Sequence, residues 1–313
     1  MANSSDPTNI LVFGATGLIG QYIIQEIYNA RSSFEKIGIF TSESTAKNKQ
    51  DEIESWKKKG IEVIVGDVTS EDDVAKAYEG YDTVVSALGR NAILAQVPVV
   101  KLAEASSSIK FFYPSEYGTD IEYNSSSATE KPHQLKLQVR KYIREHTQKL
   151  KVTYLVTGPY SDLYFGKSPE PCGGSFDVKE RKATLLGTGN EKVSFTTEKD
   201  VGRLLVAALK TPTSEIERIL KVNSFTATPK QVLAEFEKQT GAKWDVSYIS
   251  LDDLKKAETE AWEKDSWLKT MYTLRRIWTE GGTLYEQSDS GKVGFDSPET
   301  IEKQVKKVIA KQS

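Results

Sequence analysis

Residues 10–20 read Ile-Leu-Val-Phe-Gly-Ala-Thr-Gly-Leu-Ile-Gly, and no other stretch constrains the fold as much. A short apolar run, Ile10 to Phe13, enters three glycines, Gly14, Gly17 and Gly20. Isoleucines 19, 23 and 27 then recur every four residues. This pattern predicts a strand, a tight turn and an amphipathic helix. In such a unit Gly14 permits the turn, Gly17 admits a pyrophosphate close to the backbone, and Gly20 lets helix and strand pack. The free N–H groups and dipole of the helix N-terminus favour the phosphate charge.

Strand and helix signals alternate through the first half. Strands are expected at 36–40, 61–65, 83–87, 110–113 and 152–156, and helices at 46–59, 72–78, 97–105 and 135–145. Such alternation predicts an α/β fold, a Rossmann-type doubly wound parallel sheet. Later segments differ. Residues 182–186 and 192–195 flank Gly-Thr-Gly-Asn and read as a hairpin-like pair. Residues 200–209 read as a helix, 218–223 as a late strand of the main sheet, and Thr228-Pro229-Lys230-Gln231 as a helix start. The remainder reads as helical and holds Trp244, Trp262, Trp267 and Trp278, most of them expected in a core. The expected division is a nucleotide-binding part at 1–157, to which 194–225 returns. Residues 158–193 and 226–313 then form a smaller, mainly helical substrate lobe over the carboxyl edge of the sheet, where ligands of open α/β sheets bind.

Composition narrows the function. The formal net charge of the 313 residues is −2, which suggests no nucleic-acid partner. A single cysteine, Cys172, excludes an intrachain disulfide and a cysteine-based zinc site, and two histidines are too few for a His-rich metal centre. No metal is expected. No apolar run reaches membrane-spanning length, and the N-terminal residues lack a signal-peptide pattern, so the expected compartment is the cytoplasm.

The glycine turn, then Tyr113-Pro114-Ser115-Glu116-Tyr117-Gly118, Lys131 and Val156-Thr157-Gly158-Pro159-Tyr160 form an ordered set. Together with Thr196-Thr197 and Asp200-Val201-Gly202, it resembles the isoflavone reductase-like and NmrA-like branch of the atypical short-chain dehydrogenases. The resemblance implies either an NADPH-dependent reductase of a phenolic or related metabolite, or a dinucleotide sensor that binds a protein partner without turnover. An enzyme that uses its cofactor without net redox is a further alternative. The resemblance puts the catalytic lysine at Lys131, thirteen residues after Gly118, with Lys136 as the fallback. Tyr117 stands where the family usually has Phe and is a second catalytic candidate. No Tyr-x-x-x-Lys pair suits the usual short-chain dehydrogenase site.

The expected cofactor surface comprises Gly14, Thr16, Gly17, Leu18, Ile19 and Gly20, then Thr41, Ser42, Lys49, Asp67, Ala87, Leu88, Gly89, Lys131, Gly158, Pro159 and Tyr160. His133, Tyr160 and Tyr164 are the expected substrate contacts, although a loop histidine such as His133 is ordinarily exposed. Hydroxyls at Thr41 and Ser42 suit a 2′-phosphate, and Lys49 lines up with a family lysine that contacts it. The family arginine after this strand is missing, and Glu43 keeps NAD open as the alternative to NADP.

Overall fold

The computed structural model describes residues 6–285 and 287–313. The apolar runs of the first half form β1 (Asn9–Phe13), β2 (Lys36–Thr41), β3 (Glu62–Val65), β4 (Thr83–Ser86), β5 (Phe111–Tyr113) and β6 (Lys151–Val156). The second half adds β7 (Ser175–Asp177), β8 (Lys182–Leu186), β9 (Val193–Phe195), β10 (Glu217–Lys221), β11 (Phe225–Ala227) and β12 (Asp245–Ile249). Among the described residues, seven strands form the main sheet in the order β10-β6-β5-β4-β1-β2-β3, every pairing parallel. The strand order reverses between β1 and β4, so a crevice opens beyond their carboxyl ends.

The central strands are apolar on both faces because helices cover both faces. All of β4 and β5 and four of the five β1 residues are buried. On one face, helix α1 (Gly20–Asn29) and the helix Glu198–Leu209 bury Ile23, Ile27, Leu204 and Leu205. On the other, the helices Gln96–Ala105 and Gln134–His146 bury Val99, Val100, Val139 and Ile143. α1 and Glu198–Leu209 approach at Gly202, where a β-carbon would lie 2.5 Å from the Tyr22 carbonyl oxygen. Neighbouring Asp200 is fully buried. It receives hydrogen bonds from Ser224 Oγ (2.6 Å) and the Glu299 amide (2.7 Å), which ties this helix to the C-terminal segment.

Several local expectations hold. β10 is the edge strand of the main sheet, and Thr228 and Gln231 form a reciprocal cap at the start of Pro229–Thr240. Others need correction. Segments 182–186 and 192–195 are not a hairpin. β8 has β7 on one side and β12 on the other, so β9 pairs with β11 instead. The Glu191 carboxylate accepts from the Thr188 amide and hydroxyl, folding the intervening loop on itself rather than joining two strands. The single helix expected at 46–59 is two, Glu43–Asn48 and Gln50–Lys58, because Ser42 caps an earlier start. β12 interrupts the helical C-terminal third. Of its four tryptophans only Trp244 is fully buried, and Trp267 is 77% exposed. Among the described residues no helix is long and apolar enough to cross a membrane, and no group of three metal-ligating side chains comes together.

The close approach at Gly202 gives a direct test. Gly202→Val puts side-chain atoms into the α1 backbone and should cost about 2 kcal/mol or more. Thermal unfolding should show a midpoint several degrees lower. A midpoint within a degree of wild type would mean that the helices do not meet there.

Candidate active site

Four turns at the carboxyl edge of the sheet converge on the crevice. The first follows β1. Gly14 has φ +76°, and a β-carbon there would lie 2.5 Å from the Ala87 carbonyl oxygen. At Gly20 a β-carbon would lie 2.0 Å from the Gly14 carbonyl oxygen. Glycine at these two positions is therefore a packing requirement. Gly17 and Leu18 face solvent, and α1 begins at Ile19 with no side-chain cap and no acidic residue in its first turn. The Gln21 and Tyr22 amides bond back to the Gly17 and Ile19 carbonyls, whereas the Leu18, Ile19 and Gly20 amides have no acceptor among the described residues and suit an anion. Lys49 reaches back across this turn and donates its ammonium to the Thr16 carbonyl, with Glu52 3.8 Å away. Ser42 Oγ caps the helix Glu43–Asn48 by accepting from the Thr45 amide, and Thr41 is buried at the end of β2. Glu43 pairs with Lys47 at 2.8 Å in solvent. Asp67, after β3, closes its own turn by accepting from the Thr69 amide and hydroxyl, which lowers its pKa. These residues fit a dinucleotide with a phosphate near Lys49. The uncapped helix start and the glycine cradle are the features that fit it.

The second and third turns, after β4 and β5, are joined. Ser115 Oγ donates to the Leu88 carbonyl at 2.9 Å, and the Ser115 amide donates to Gln96 Oε1 at 2.8 Å. Glu116 is buried and ion-paired with buried Arg140, Oε1 to Nε 3.0 Å. Tyr117 has φ +25°, an unusual conformation for a non-glycine residue. The Tyr160 hydroxyl, from the turn after β6, donates to its carbonyl oxygen. The Gly118 carbonyl accepts from the Thr157 and Gly158 amides at 3.1 and 2.8 Å. The Pro-Ser-Glu-Tyr-Gly motif thus pins the turns after β4, β5 and β6 to one another.

Lys136 projects into this junction from Gln134–His146 and donates to the Glu116 carbonyl oxygen. Burial lowers its pKa to about 8. The Glu116 carboxylate opposes that fall, and Arg90 and Arg140 add to it. Lys136 lines two cavities, which also share Arg90, Tyr117, Pro132 and Tyr160. A cavity of about 140 Å³ reaches Ile19, Leu88 and Ser115 on the glycine-turn side. A larger one, about 600 Å³, is walled by Tyr117, Tyr160, Tyr164, Met271, Leu274 and Trp278, with Trp267 at its exposed rim. The helix Lys269–Thr279 supplies the far wall, and Trp278 Nε1 is fixed by a 2.8 Å bond to Thr119 Oγ1.

Lys131 lies elsewhere. It is exposed, its ammonium sits 4.4 Å above the Trp262 ring, and it lines a separate polar cavity with Glu130, Glu258 and Arg276. Pro132 and a short 3₁₀ turn at Lys131–His133 aim it away from the aromatic cavity. His133 is not exposed as expected but buried. Its Nδ1 lies 3.2 Å from the Ser127 carbonyl, which only accepts, so Nδ1 carries the proton. Nε2 has no partner among the described residues, and burial lowers the ring's pKa. His133, Tyr160 and Tyr164 all line the larger cavity. The Tyr117 hydroxyl is buried without a partner among the described residues.

Sequence reasoning missed Arg90, Arg140 and Arg275. Arg140 was legible, because it follows Lys136 by one helical turn. Arg275 interrupts the apolar stripe Met271, Leu274, Trp278, and a charge on such a stripe is itself a signal.

Strand order and the glycine turn at the switch point define a Rossmann-type chain. It belongs to the NmrA-like family, whose model matches residues 6–306. It is 26% identical over 262 residues to isoflavone reductase homolog P3 of Arabidopsis thaliana, covering 82% of this chain and 83% of the relative. It is 25% identical over 290 residues to an isoflavone reductase of Glycine max, covering 88% and 89%. Among solved structures, AtPrR2 with NADP+ and (+)-pinoresinol superposes with a TM-score of 0.81 at 20% identity, covering 97% of this chain and 99% of that one.

The Lys136 assignment is testable without a substrate. Its amine titrates near 8 when folded and at its ordinary value of 10.5 when unfolded, so the folded chain binds fewer protons between these values. Stability relative to Lys136→Met should therefore rise with pH across that window, by up to about 1.4 kcal/mol per pH unit. Urea unfolding of both proteins at several pH values measures it. A flat difference would place the amine in solvent.

Proposed function

We propose that the chain is an NADP(H)-dependent reductase of a small aromatic or conjugated metabolite, with Lys136 in the role that the resemblance assigned to Lys131. The observation that carries this reading is that Lys136 lines both the cavity beside the glycine turn and the aromatic cavity. The dinucleotide supplies a hydride when bound. Lys136 holds a cation and a transferable proton beside the position where an acceptor oxygen gains charge. Tyr117, Pro132 and Tyr160 line the same cavities as Lys136, and the aromatic walls suit a ring-bearing substrate. His133 Nε2 and the Tyr117 hydroxyl are buried without partners among the described residues, so each would reach a substrate only after a small side-chain shift. Relatives that are isoflavone reductases, and a similar fold with NADP+ and (+)-pinoresinol, support the reading.

Along the glycine turn, the α1 amides would hold the pyrophosphate. Lys49 would hold the 2′-phosphate, with Thr41 and Ser42 beside it. Glu43, already paired with Lys47 in solvent, is poorly placed to hold a ribose diol, which supports NADP over NAD. Lys49→Ala should weaken NADPH binding by about 1–3 kcal/mol and leave NADH binding nearly unchanged. Calorimetry with both cofactors measures this, and equal losses would rule out the phosphate role.

A screen of aromatic and conjugated carbonyl metabolites, followed by NADPH absorbance, tests the reaction. On a turned-over compound, kcat should fall as pH rises through about 8, where Lys136 loses its proton. Lys136→Met should lower kcat by about 10²–10⁴-fold with NADPH affinity retained, whereas Lys131→Ala should stay close to wild type. The opposite pattern would return the role to Lys131. Tight NADPH binding with no turnover, together with a captured protein partner, would replace the enzyme with the sensor.

A further inference from the structure

Arg275 stands in the wall of the aromatic cavity and is only 6% exposed. Its guanidinium lies 3.8 Å over the Tyr164 ring and 5.6 Å from that of Trp278. Stacking satisfies its flat face. Its edge is different, because Nη1 is buried and has no hydrogen-bond partner among the described residues. The next residue provides the contrast. Arg276 is gripped by the carboxylates of Glu130, Glu258 and Glu280 at 2.6–2.9 Å. The helix therefore had acidic partners within reach one position on, yet leaves Arg275 with none.

A buried guanidinium edge without a partner is destabilising. Guanidinium stays charged even when burial disfavours it. The surrounding lining adds to the imbalance. Among the described residues it holds Arg90, Lys136 and Arg275 and no Asp or Glu. Arg90 and Lys136 also line the small cavity toward Leu88 and donate to the Pro132 and Glu116 carbonyls. Arg275 does not line that side, so a dinucleotide on the glycine turn leaves it with the Tyr164 side chain as its polar neighbour and no anion. What is missing at Arg275 is an anion attached to a ring that stacks among Tyr164 and Trp278.

We propose that the substrate is an aromatic carboxylate, its carboxylate held by Arg275. This rests on the reductase reading for the turnover but not for the binding. The planar fork matches a carboxylate in two hydrogen bonds, and the aromatic walls take the ring. Neutral esters of the same acids leave the cation unpaired and are discriminated against.

The experiment measures binding to the full chain saturated with NADP+, using benzoate, phenylacetate and cinnamate, each against its methyl ester, by calorimetry. At least one acid should bind tenfold or more tighter than its ester. Arg275→Met should abolish that preference, and Arg275→Lys should keep part of it. Because Arg275→Met removes an unpaired buried charge, its thermal midpoint should equal or exceed that of wild type, which separates lost binding from lost folding. No preference for acid over ester in any pair, or a preference that survives in Arg275→Met, overturns the proposal. Acid binding that depends on Arg275, with no oxidation of NADPH when NADPH replaces NADP+ and the acids supplied carry a conjugated carbonyl or alkene, upholds it and defeats the reductase reading. Reduction of neutral aromatics unaffected by Arg275→Met does the reverse.

Discussion

The site hangs on one buried ion pair, Glu116 with Arg140. Both groups are almost fully inaccessible, and each keeps an orphaned atom, Glu116 Oε2 and Arg140 Nη2, among the described residues. Such a pair is a poor stabiliser relative to packed hydrocarbon. Its effect here is geometric. Arg140 lies over the Tyr154 ring of β6 at 4.6 Å and extends Nη1 to Glu122, which also binds Arg144. The pair therefore locks the turn after β5 to the helix Gln134–His146 and to β6. That lock holds the Glu116 carbonyl under the Lys136 amine and stabilises the left-handed backbone at Tyr117. Lys136 and Arg140 share one helix face, so the residue that fixes the turn also fixes the angle at which the amine enters it.

What the sequence disclosed follows the range of the forces involved. The β1–turn–α1 unit was legible because its constraints are local. A positive φ at Gly14 and a backbone contact at Gly20 leave glycine alone at each. The reciprocal cap at Thr228 and Gln231 was legible for the same reason. The partnering of β8 and β9 was not. Two strands separated by a glycine loop carry the signal of a hairpin, and only the distant β12 and β11 decide otherwise. The tryptophans misled in the same manner, since helical spacing does not distinguish a core face from the wall of a cavity.

The lysine was the hardest case. Lys131 and Lys136 are five residues apart, and spacing from Gly118 favoured the first. Between them, Pro132 sits in a 3₁₀ turn, and the α-helix begins only at Gln134. Across that change of pitch the two lysines line different cavities. Arg140 follows Lys136 by one α-helical turn in the sequence, but only its burial against Glu116 ties it to the same junction.

The two cavities flanking this segment differ in their charge balance. Around Lys131 charges cancel. Arg276 has three carboxylates, and the walls are polar, so an added charge there is well screened and gains little. Around Lys136 they do not. Arg90 and Lys136 donate to carbonyl oxygens, Arg275 stacks on Tyr164, and among the described residues no carboxylate lines this cavity, so a charge there acts strongly on whatever enters. The burial that lowers the Lys136 pKa also makes its proton easier to give up near neutral pH. Negative charge developing on a bound acceptor would restore the balance that the free cavity lacks. Under the proposed reduction, that balance is reached only as charge develops on the acceptor, which is the condition for binding a transition state more strongly than its ground state.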